Sequence, residues 1–347
     1  MDTSCPGGYS RALSLTSEDR MGGKVFVTGA NGQLGIPLIK SLVADGYDVV
    51  GMARTPRRAA RVERAGATAL IGDVYDIDLL TQGCRDAVWV YHLAGAIRGR
   101  GKETADRINR MGTANLLAAL ERASTTPRGV LFASSCAVYG DRSGLWMEED
   151  MDPSPMTRYG LSKADAEALL AEAHKQRELP VRIARIGIVY GPGFSVMLED
   201  MVRKGRCWLP GEGQNLMPII HVDDAISALR AVNERGDSQG VYHISTWNPV
   251  EASAFYEAIA QRVGGEPARF WSTYVPTFVQ HGIADYYERA VSRTSKRPLL
   301  TPDMLKLLVA SVRMKPQRLE DELDFEWRYP TLGVGMDATF GAGGSQP

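Results

Sequence analysis

A glycine-rich turn between a short apolar run and a helix-forming stretch constrains the fold more than any other feature of this sequence. Residues 25–27 are typical of a buried strand, and residues 36–39 are typical of a helix. Between them lie Gly29, Gly32 and Gly35. A strand, turn and helix in this order direct backbone N–H groups and the positive end of the helix dipole to one point, which suits a pyrophosphate. Glycine is needed because a side chain would block the phosphate or the packing of helix on strand.

The glycine spacing by itself leaves two interpretations open. It is Gly-x-x-Gly-x-x-Gly, a variant of the usual Gly-x-Gly-x-x-Gly dinucleotide pattern. The turn therefore predicts a dinucleotide site, but it also fits a loop that requires glycine for steric reasons only. The rest of the chain has to decide between them.

The composition excludes several classes of protein. Of 347 residues, 44% are hydrophobic and 23% are charged, as in ordinary globular proteins. A formal net charge of -1 opposes nucleic-acid binding, which usually needs a basic stripe. No apolar run reaches the length of a membrane span. We therefore expect a cytoplasmic protein with a small-molecule substrate. The cysteines are too far apart for a zinc site or a disulfide framework, so no metal is expected: Cys5, Cys84, Cys136 and Cys207.

Strand and helix patterns alternate regularly after the glycine turn. Further strands are predicted at 47–52, 69–71, 87–93, 129–135 and 181–190. Such alternation implies right-handed crossovers and a parallel sheet. The predicted fold class is therefore α/β, a Rossmann doubly wound parallel sheet with a smaller mixed C-terminal substrate-binding region.

The same patterns predict a division of the chain. Residues 23–190 form the Rossmann NAD(P)-binding domain, and later strands from about 215–245 join its sheet. Residues 191–338 form the substrate-binding region. Residues 1–22 are expected to be a disordered tail, with Met21 as a candidate alternative start, and residues 339–347 a flexible one.

Arginines stand where a dinucleotide site usually places an acid that binds the ribose hydroxyls. The second strand is followed by Arg54 and Arg57, and Asp48 is at the wrong end to substitute. Arginine there pairs with a 2′-phosphate, which favours NADP over NAD. The alternative is a solvated basic helix face, although cations at a helix N-terminus oppose its dipole. Asp73, after the third strand, is either an acceptor for the adenine amine or an ordinary loop aspartate.

Tyr159 and Lys163 are predicted to share one face of a helix, because they are four residues apart. A lysine ammonium near a tyrosine favours the phenolate and lowers the tyrosine pKa. The pair can then move a proton to or from a hydroxyl while hydride moves to or from the cofactor. Ser134 and Ser135 end the fifth strand at its carboxyl edge, where open α/β sheets bind ligands. Taken separately, an exposed helix pair and an ordinary N-cap serine are the commoner explanations.

Together these residues belong to a series of motifs in a recognisable order. The series is Thr28-Gly29-Ala30-Asn31-Gly32-Gln33-Leu34-Gly35, Gly72-Asp73, His92-Leu93-Ala94-Gly95, Asn109-Arg110-Met111-Gly112-Thr113, Ser134-Ser135-Cys136-Ala137-Val138-Tyr139-Gly140, Tyr159-x-x-x-Lys163, Arg185-Ile186-x-x-Val189-Tyr190-Gly191-Pro192-Gly193 and His221-Val222-Asp223-Asp224. From about residue 24 to 330 the chain closely resembles the extended short-chain dehydrogenase/reductase family, or NAD-dependent epimerase/dehydratase family. Within it, the nearest branch is the 3β-hydroxysteroid-dehydrogenase-like enzymes.

The resemblance implies a role for each matching position. Tyr159 becomes the acid/base, Lys163 holds the nicotinamide ribose and tunes Tyr159, and Ser135 orients the substrate. Asn109 supports the site from the helix that follows the fourth strand. Tyr159, Lys163 and a larger set are implied to bind the cofactor: Gly29, Asn31, Gly32, Gln33, Leu34, Gly35, Arg54, Arg57, Asp73, Val74, Leu93, Ala94, Gly95, Asn109, Ile186 and Val189. A homodimer through two Rossmann helices is common in this family.

Departures from the family patterns narrow the substrate. Sugar-nucleotide 4,6-dehydratases have Thr-Asp-Glu where this chain has Ser135-Cys136-Ala137, so water elimination would have no catalyst. Nucleotide-sugar epimerases commonly have Arg-Asp before the His-Val-Asp-Asp stretch, whereas residues 214–220 here carry no charge. Aromatic residues gather instead at Trp271, Tyr274, Phe278, Tyr286 and Tyr287, followed by the apolar segment 298–302. They indicate an apolar substrate, although they equally fit a small core.

The sequence therefore predicts an NAD(P)-dependent oxidoreductase that interconverts a secondary alcohol and a ketone. Its expected substrate is a small apolar cyclic molecule of steroid or terpenoid type, and its expected cofactor is NADP, with NAD as the alternative. A nucleotide-sugar 4-epimerase with tightly bound NAD is one alternative. A non-catalytic NAD(P)-sensing regulator is another, because fold alone does not establish catalysis.

Overall fold

The computed structural model describes residues 22–97, 107–194, 196–205, 207–266, 268–270 and 301–341, with the single residues Val279 and Tyr286. Its strands are β1 (Lys24–Thr28), β2 (Asp48–Ala53), β3 (Thr68–Ile71), β4 (Ala87–His92), β5 (Gly129–Ser135), β6 (Trp146–Met147), β7 (Val181–Ile186), β8 (Ile188–Tyr190), β9 (Trp208–Leu209), β10 (Leu216–Met217), β11 (Ile219–His221), β12 (Val241–Ile244), β13 (Val250–Glu251), β14 (Arg269–Phe270) and β15 (Arg313–Met314). Its α-helices are α1 (Gly35–Ala44), α2 (Pro56–Arg64), α3 (Ile77–Cys84), α4 (Gly112–Ala123), α5 (Arg158–Arg177), α6 (Val196–Arg203), α7 (Val222–Arg235), α8 (Ala252–Val263), α9 (Pro302–Val309), α10 (Gln317–Leu323) and α11 (Leu332–Phe340).

A seven-stranded parallel sheet forms the centre of the described chain, in the order β12-β7-β5-β4-β1-β2-β3. Its inner strands are continuous apolar runs because helices cover both of their faces. Leu38, Leu42 and Ile226 pack on one face, and Leu116 and Leu170 pack on the other. The predicted Rossmann doubly wound α/β fold is confirmed.

The strand order reverses between β1 and β4, which places a crevice at the carboxyl ends of these two strands. The glycine turn leaves β1 at this crevice. The chain after β4 and the end of β5 reach the same edge, because all three strands are parallel and adjacent. The topology therefore collects the predicted site residues on one edge of the sheet.

The stretch 181–190, predicted as one strand, is two. β7 lies in the central sheet, whereas β8 pairs with β11 in a separate two-stranded sheet. Gly187 stands at the break, where its N–H donates to the Ile244 carbonyl at 2.9 Å and a Cβ would lie 2.5 Å from the Pro218 oxygen. Of the segments between 215 and 245, β12 pairs with β7 in the central sheet, and β10 and β11 pair elsewhere.

The C-terminal third adds a smaller cluster beside the sheet. Residues of α8 and α11 pack there around Phe255 and Met336. Helix α11 continues through Thr339 to Phe340, two residues into the segment 339–347 that was predicted to be a flexible tail, and the Thr339 hydroxyl donates to the Gly335 carbonyl at 2.8 Å.

Most of the predicted aromatic group at 271–287 lies outside the described residues. Tyr286 is its one described member, and it is 77% exposed. Of the apolar segment 298–302, only Thr301 and Pro302 are described, and they begin α9 as N-cap and first helical residue. Within the described part of the chain, no helix is both long and apolar enough to cross a membrane.

Candidate active site

The glycine turn is closed against the loop that follows β4. Gly29 has a φ of +69°, and a Cβ on it would lie 2.7 Å from the backbone of Leu93 and Ala94. A Cβ on Gly35 would lie 2.5 Å from the Gly29 oxygen. Only glycine fits this turn, so its backbone stays open to a ligand at the N-terminus of α1. The Gln33 side chain bridges the mouth by donating to the Gly193 carbonyl at 3.1 Å.

Buried hydrogen bonds hold the loop after β4 in place. The Thr113 hydroxyl donates to the Asn109 carbonyl at 2.8 Å, so it accepts from His92 Nε2 at 3.1 Å. His92 Nδ1 then accepts from the Thr28 hydroxyl at 2.7 Å, and that oxygen accepts from the Ala94 N–H at 3.2 Å. Burial lowers the pKa of His92 to about 3, which matches this neutral tautomer. This series of hydrogen bonds connects β1, β4 and α4 beneath the crevice.

Asn109 links this loop to the helix that carries Tyr159. Its amide oxygen accepts from the Ala96 N–H at 2.9 Å, and its amide nitrogen donates to the Ala96 carbonyl at 3.1 Å and to the Ser162 hydroxyl at 2.8 Å. Asn109 is fully buried in a π-helical turn, Arg107–Met111, rather than in α4 itself. It therefore supports the crevice from behind and does not line it.

Helix α5 lies along the end of β5. Tyr159, half-buried, is hydrogen-bonded to Ser135. Lys163 is 4% exposed, and its Nζ donates to the Ala133 carbonyl at 2.7 Å and lies 4.6 Å from the centre of the Phe132 ring. The Ser135 hydroxyl also accepts from the Ala137 N–H at 3.2 Å, so the N-cap interpretation of this serine holds alongside its place in the site.

The predicted direction of the Tyr159 pKa shift is wrong for the structure as described. Burial raises the pKa of Tyr159 to about 12, although the hydrogen bond with Ser135 lowers it. The ammonium of Lys163 is directed at a backbone carbonyl, so it does not offset the burial of the phenol. Burial lowers the pKa of Lys163 itself to about 8, and the carboxylate of Glu167 opposes that shift. Tyr159 is therefore protonated at neutral pH.

A cavity of about 630 Å³ opens over these residues. Most predicted site residues line it: Gly29, Gly32, Gln33, Leu34, Gly35, Leu93, Gly95, Ser135, Tyr159, Lys163, Ile186 and Val189. Others lie outside its lining: Asn31, Arg54, Arg57, Asp73, Val74, Ala94 and Asn109. The cavity thus runs from the glycine turn to the end of β5 and continues beyond it.

The predicted arginines follow the carboxyl end of β2 and do not line the cavity, and we call this position the open end of the crevice. Arg54 and Arg57 are exposed just after β2, the strand that neighbours β1. Neither has a hydrogen bond or an ion pair with another part of the described chain. Asp73 is half-buried after β3, and Val74 is 6% exposed beside α4, with its carbonyl accepting from Asn115 at 3.0 Å.

The far half of the cavity is an apolar wall that was not predicted from the sequence. We define the wall as the lining residues Met156, Leu216, Met217, Pro218, Met304, Leu307 and Leu308. Helix α9 supplies three of them, and its Asp303 accepts from the Arg158 N–H at 3.0 Å, which fixes α9 against the start of α5. Apolar residues at i, i+3 and i+4 were the available signal for this face. Among the described lining residues, Lys163 is the only charged one.

Two residues behind the site, Glu167 and Arg185, were not predicted to have a role in it. Glu167 follows Lys163 by one helical turn, and its side chain is 6% exposed. It pairs with Arg185 of β7 at 2.8 Å. The spacing of Tyr159, Lys163 and Glu167 at four-residue steps was visible in the sequence, but a partner for the carboxylate was not.

Comparison with known proteins agrees with this geometry. The model of the NAD dependent epimerase/dehydratase family matches residues 25–245, well over half of the chain. The chain belongs to this family. It is an enzyme of the NAD(P)-dependent short-chain dehydrogenase/reductase type, as the sequence predicted.

Its relatives include reductases and dehydrogenases. It is 28% identical over 249 residues to the 4-hydroxy-2-methyl-3-oxo-4-farnesyl-3,4-dihydroquinoline-1-oxide ketoreductase of Stigmatella aurantiaca, covering 70% of this chain and 73% of the relative. It is 26% identical over 242 residues to the decarboxylating sterol-4-alpha-carboxylate 3-dehydrogenase of Dictyostelium discoideum, covering 67% and 74%. The UDP-glucose 4-epimerase of Thermotoga maritima shares the fold, with a TM-score of 0.73, 17% identity and coverage of 91% and 97%.

Proposed function

We propose that this protein is an NADPH-dependent ketoreductase that acts on a small apolar cyclic ketone of steroid or terpenoid type. The observation that carries the proposal is the apolar wall facing Ser135, Tyr159 and Lys163, a cavity half with no charged side chain among its described residues. A ligand held there buries its apolar surface away from water, which is favourable. Its one polar group can then bind the hydroxyls of Ser135 and Tyr159. The named relatives are a ketoreductase of a farnesylated quinoline oxide and a dehydrogenase of a sterol carboxylate, and the large apolar skeletons of both compounds support a largely apolar substrate.

The protonated state of Tyr159 supports the direction of reduction. A phenol whose pKa burial raises to about 12 keeps its proton at neutral pH and can donate it to a developing alkoxide. Ser135, hydrogen-bonded to Tyr159, would bind the same oxygen and orient it. The bound nicotinamide would supply the hydride to the carbonyl carbon. Lys163, anchored at the Ala133 carbonyl, would present its remaining N–H donors to the nicotinamide ribose.

The preference for NADP rests on the open end of the crevice. Arg54 and Arg57 are exposed there, without partners in the described chain, which leaves their guanidinium groups free for a 2′-phosphate. The glycine turn fits a dinucleotide of either kind, because the steric demands at Gly29 and Gly35 keep its backbone bare.

A substrate screen tests the proposal. Loss of reduced-nicotinamide absorbance is followed with NADPH and NADH against sterol ketones, terpenoid ketones, aryl ketones and UDP-glucose, and products are identified by mass spectrometry. We expect turnover with NADPH and an apolar cyclic ketone. Turnover confined to UDP-glucose, or to charged ketones, would refute the assignment.

A nucleotide-sugar 4-epimerase is the second candidate, because the chain shares the fold of such an enzyme and keeps Tyr159 and Lys163. Against it, no described cation lines the far half of the cavity to bind a diphosphate. An epimerase of this kind would retain NAD through purification, so denaturing the purified protein and assaying the supernatant for NAD separates the two candidates. The same Tyr159–Lys163 pair opposes a non-catalytic sensor.

A further inference from the structure

Three side chains of α5 touch three consecutive residues of β5. Tyr159 is hydrogen-bonded to Ser135, Lys163 donates to the Ala133 carbonyl at 2.7 Å, and Glu167 accepts from the Ser134 hydroxyl. Their four-residue spacing places them on one face of the helix. The strand end and the helix are therefore joined at three successive residues of the strand.

Glu167 is itself fixed by a buried ion pair. Arg185 of β7 donates from Nη2 to Glu167 Oε2 at 2.8 Å and from Nε to both carboxylate oxygens at 3.2 and 3.3 Å. The side chain of Glu167 is 6% exposed, and that of Arg185 is 5% exposed. Removing one partner would leave the other as a buried unpaired charge, so this pair fixes position more than it adds stability.

The arginine continues into a directed chain of hydrogen bonds. Burial lowers the pKa of His243 to about 3, and its Nδ1 lies 2.8 Å from the Lys315 carbonyl, so Nδ1 carries the proton. Nε2 then accepts from the Tyr139 hydroxyl at 2.6 Å, and that oxygen accepts from Arg185 Nη1 at 2.6 Å. This series of hydrogen bonds runs from Arg185 through Tyr139 and His243 to the carbonyl of Lys315, the residue that follows β15.

We propose that Glu167 is a positioning residue for the reaction: held by Arg185, it fixes Ser134 and with it the strand end from which Ser135 and the Ala133 carbonyl orient Tyr159 and Lys163. This inference rests on the proposed function, because it takes Tyr159 and Lys163 as the reacting pair. Glu167 does not line the cavity, so it acts only through its neighbours.

The carboxylate of Glu167 also interacts electrostatically with the ammonium of Lys163. The titratable groups that interact with that ammonium are Glu167 on α5 and the neutral His92 of β4, while Arg185 of β7 is paired to Glu167. Glu167 raises the pKa of Lys163 against burial. Replacing it by a neutral side chain would therefore make Lys163 lose its proton at lower pH.

The substitution Glu167→Gln is the first test. We expect kcat for the best ketone of the screen to fall roughly 10²-fold, with KM nearly unchanged, because misplacement of reacting groups costs rate rather than binding. A second readout needs no ketone: NADPH affinity is measured by fluorescence from about pH 6 to about pH 10, and the pH at which binding weakens should move down by about one unit. Unchanged kcat and an unchanged binding profile would overturn the proposal.

Ser134→Ala keeps the test decisive if Glu167→Gln does not fold. It removes only the hydroxyl that donates to the Glu167 carboxylate, and we expect kcat to fall roughly tenfold, the lower end for a hydrogen bond to a charged group. Wild-type kcat in this variant would overturn the proposal.

Asp224→Asn is the matched control, because Asp224 is a buried carboxylate that accepts from Arg328 and Tyr329 N–H groups away from the cavity. It should lower stability and leave the kcat of folded protein unchanged.

The proposed function and the positioning role of Glu167 can be distinguished experimentally. If Tyr159→Phe retains turnover, or if no ketone is reduced, the proposed function is wrong, and the NADPH titration still reports on Glu167. If Tyr159→Phe is inactive while Glu167→Gln and Ser134→Ala behave as wild type in both readouts, only the positioning role is wrong.

Discussion

The floor and the wall of the cavity are built by opposite means. The floor, where α5 meets β5, consists of polar groups in defined hydrogen bonds, among them Lys163 and Ser134, with Glu167 buried behind them. The wall presents methionine, leucine and proline side chains that make only van der Waals contacts. Hydrogen bonds fix angles and distances, whereas apolar contacts fix only volume. We infer that the floor sets the chemistry and the wall sets the choice of substrate.

The largest expected effect comes from the floor. In Tyr159→Phe, the proton donor is removed while the ring and the cavity shape remain, so kcat for ketone reduction should fall roughly 10²- to 10⁴-fold. NADPH affinity, measured by fluorescence titration, should stay within about threefold, because the phenolic proton serves the reaction rather than the binding. Near-normal turnover would show that Tyr159 is not the proton donor, and the floor would then have no special part in the chemistry.

A charge placed in the wall should affect binding instead. Leu307→Asp puts a carboxylate against an apolar ligand, and we expect kcat/KM for the apolar ketone to fall roughly 10²-fold, mostly through KM. Val309→Asp is the matched control, because Val309 belongs to the same helix but is 37% exposed and does not line the cavity. Equal losses in steady-state kinetics of the two variants would show that α9 has no part in recognition.

Substitutions at the open end of the crevice, which does not line the cavity, should affect cofactor choice alone. Replacing Arg54 and Arg57 by serine should weaken NADPH about tenfold, the cost of losing charge-assisted hydrogen bonds to a phosphate, and leave NADH unchanged. Arg61→Ser is the control, since Arg61 is an exposed arginine in the last turn of the same helix. Isothermal titration with both cofactors measures the effect, and parallel losses of NADPH and NADH would contradict the assignment.

The smallest expected effect is a pH dependence of the unmodified floor. Burial lowers the pKa of Lys163 to about 8, so its ammonium is present below that pH and is lost above it. The rate of reduction at saturating NADPH and ketone should therefore fall about twofold between pH 7 and pH 8 and further at higher pH, since half the groups are neutral when pH equals pKa. A rate that stays level to about pH 10 would separate Lys163 from the chemistry.

The sequence by itself determined the features that depend on neighbours in the chain. The alternation of strands and helices predicted the parallel Rossmann sheet, and Gly29 to Gly35 predicted the tight turn between β1 and α1. The four-residue spacing of Tyr159 and Lys163 predicted a shared helix face. These predictions succeeded because helix periodicity and glycine geometry are local properties.

Only the tertiary structure decided which groups are buried and what they meet. Burial reverses the expected pKa shift of Tyr159, and the break at Gly187 sends β8 out of the central sheet toward β11. Arg185 reaches Glu167 from strand β7, and α9 reaches α5 across 145 residues of the chain. Desolvation and long-range pairing depend on the packing of distant segments, which no local pattern encodes. The glycine turn was therefore predictable from its own residues, whereas the meeting of α9 with β10 in one apolar wall was not.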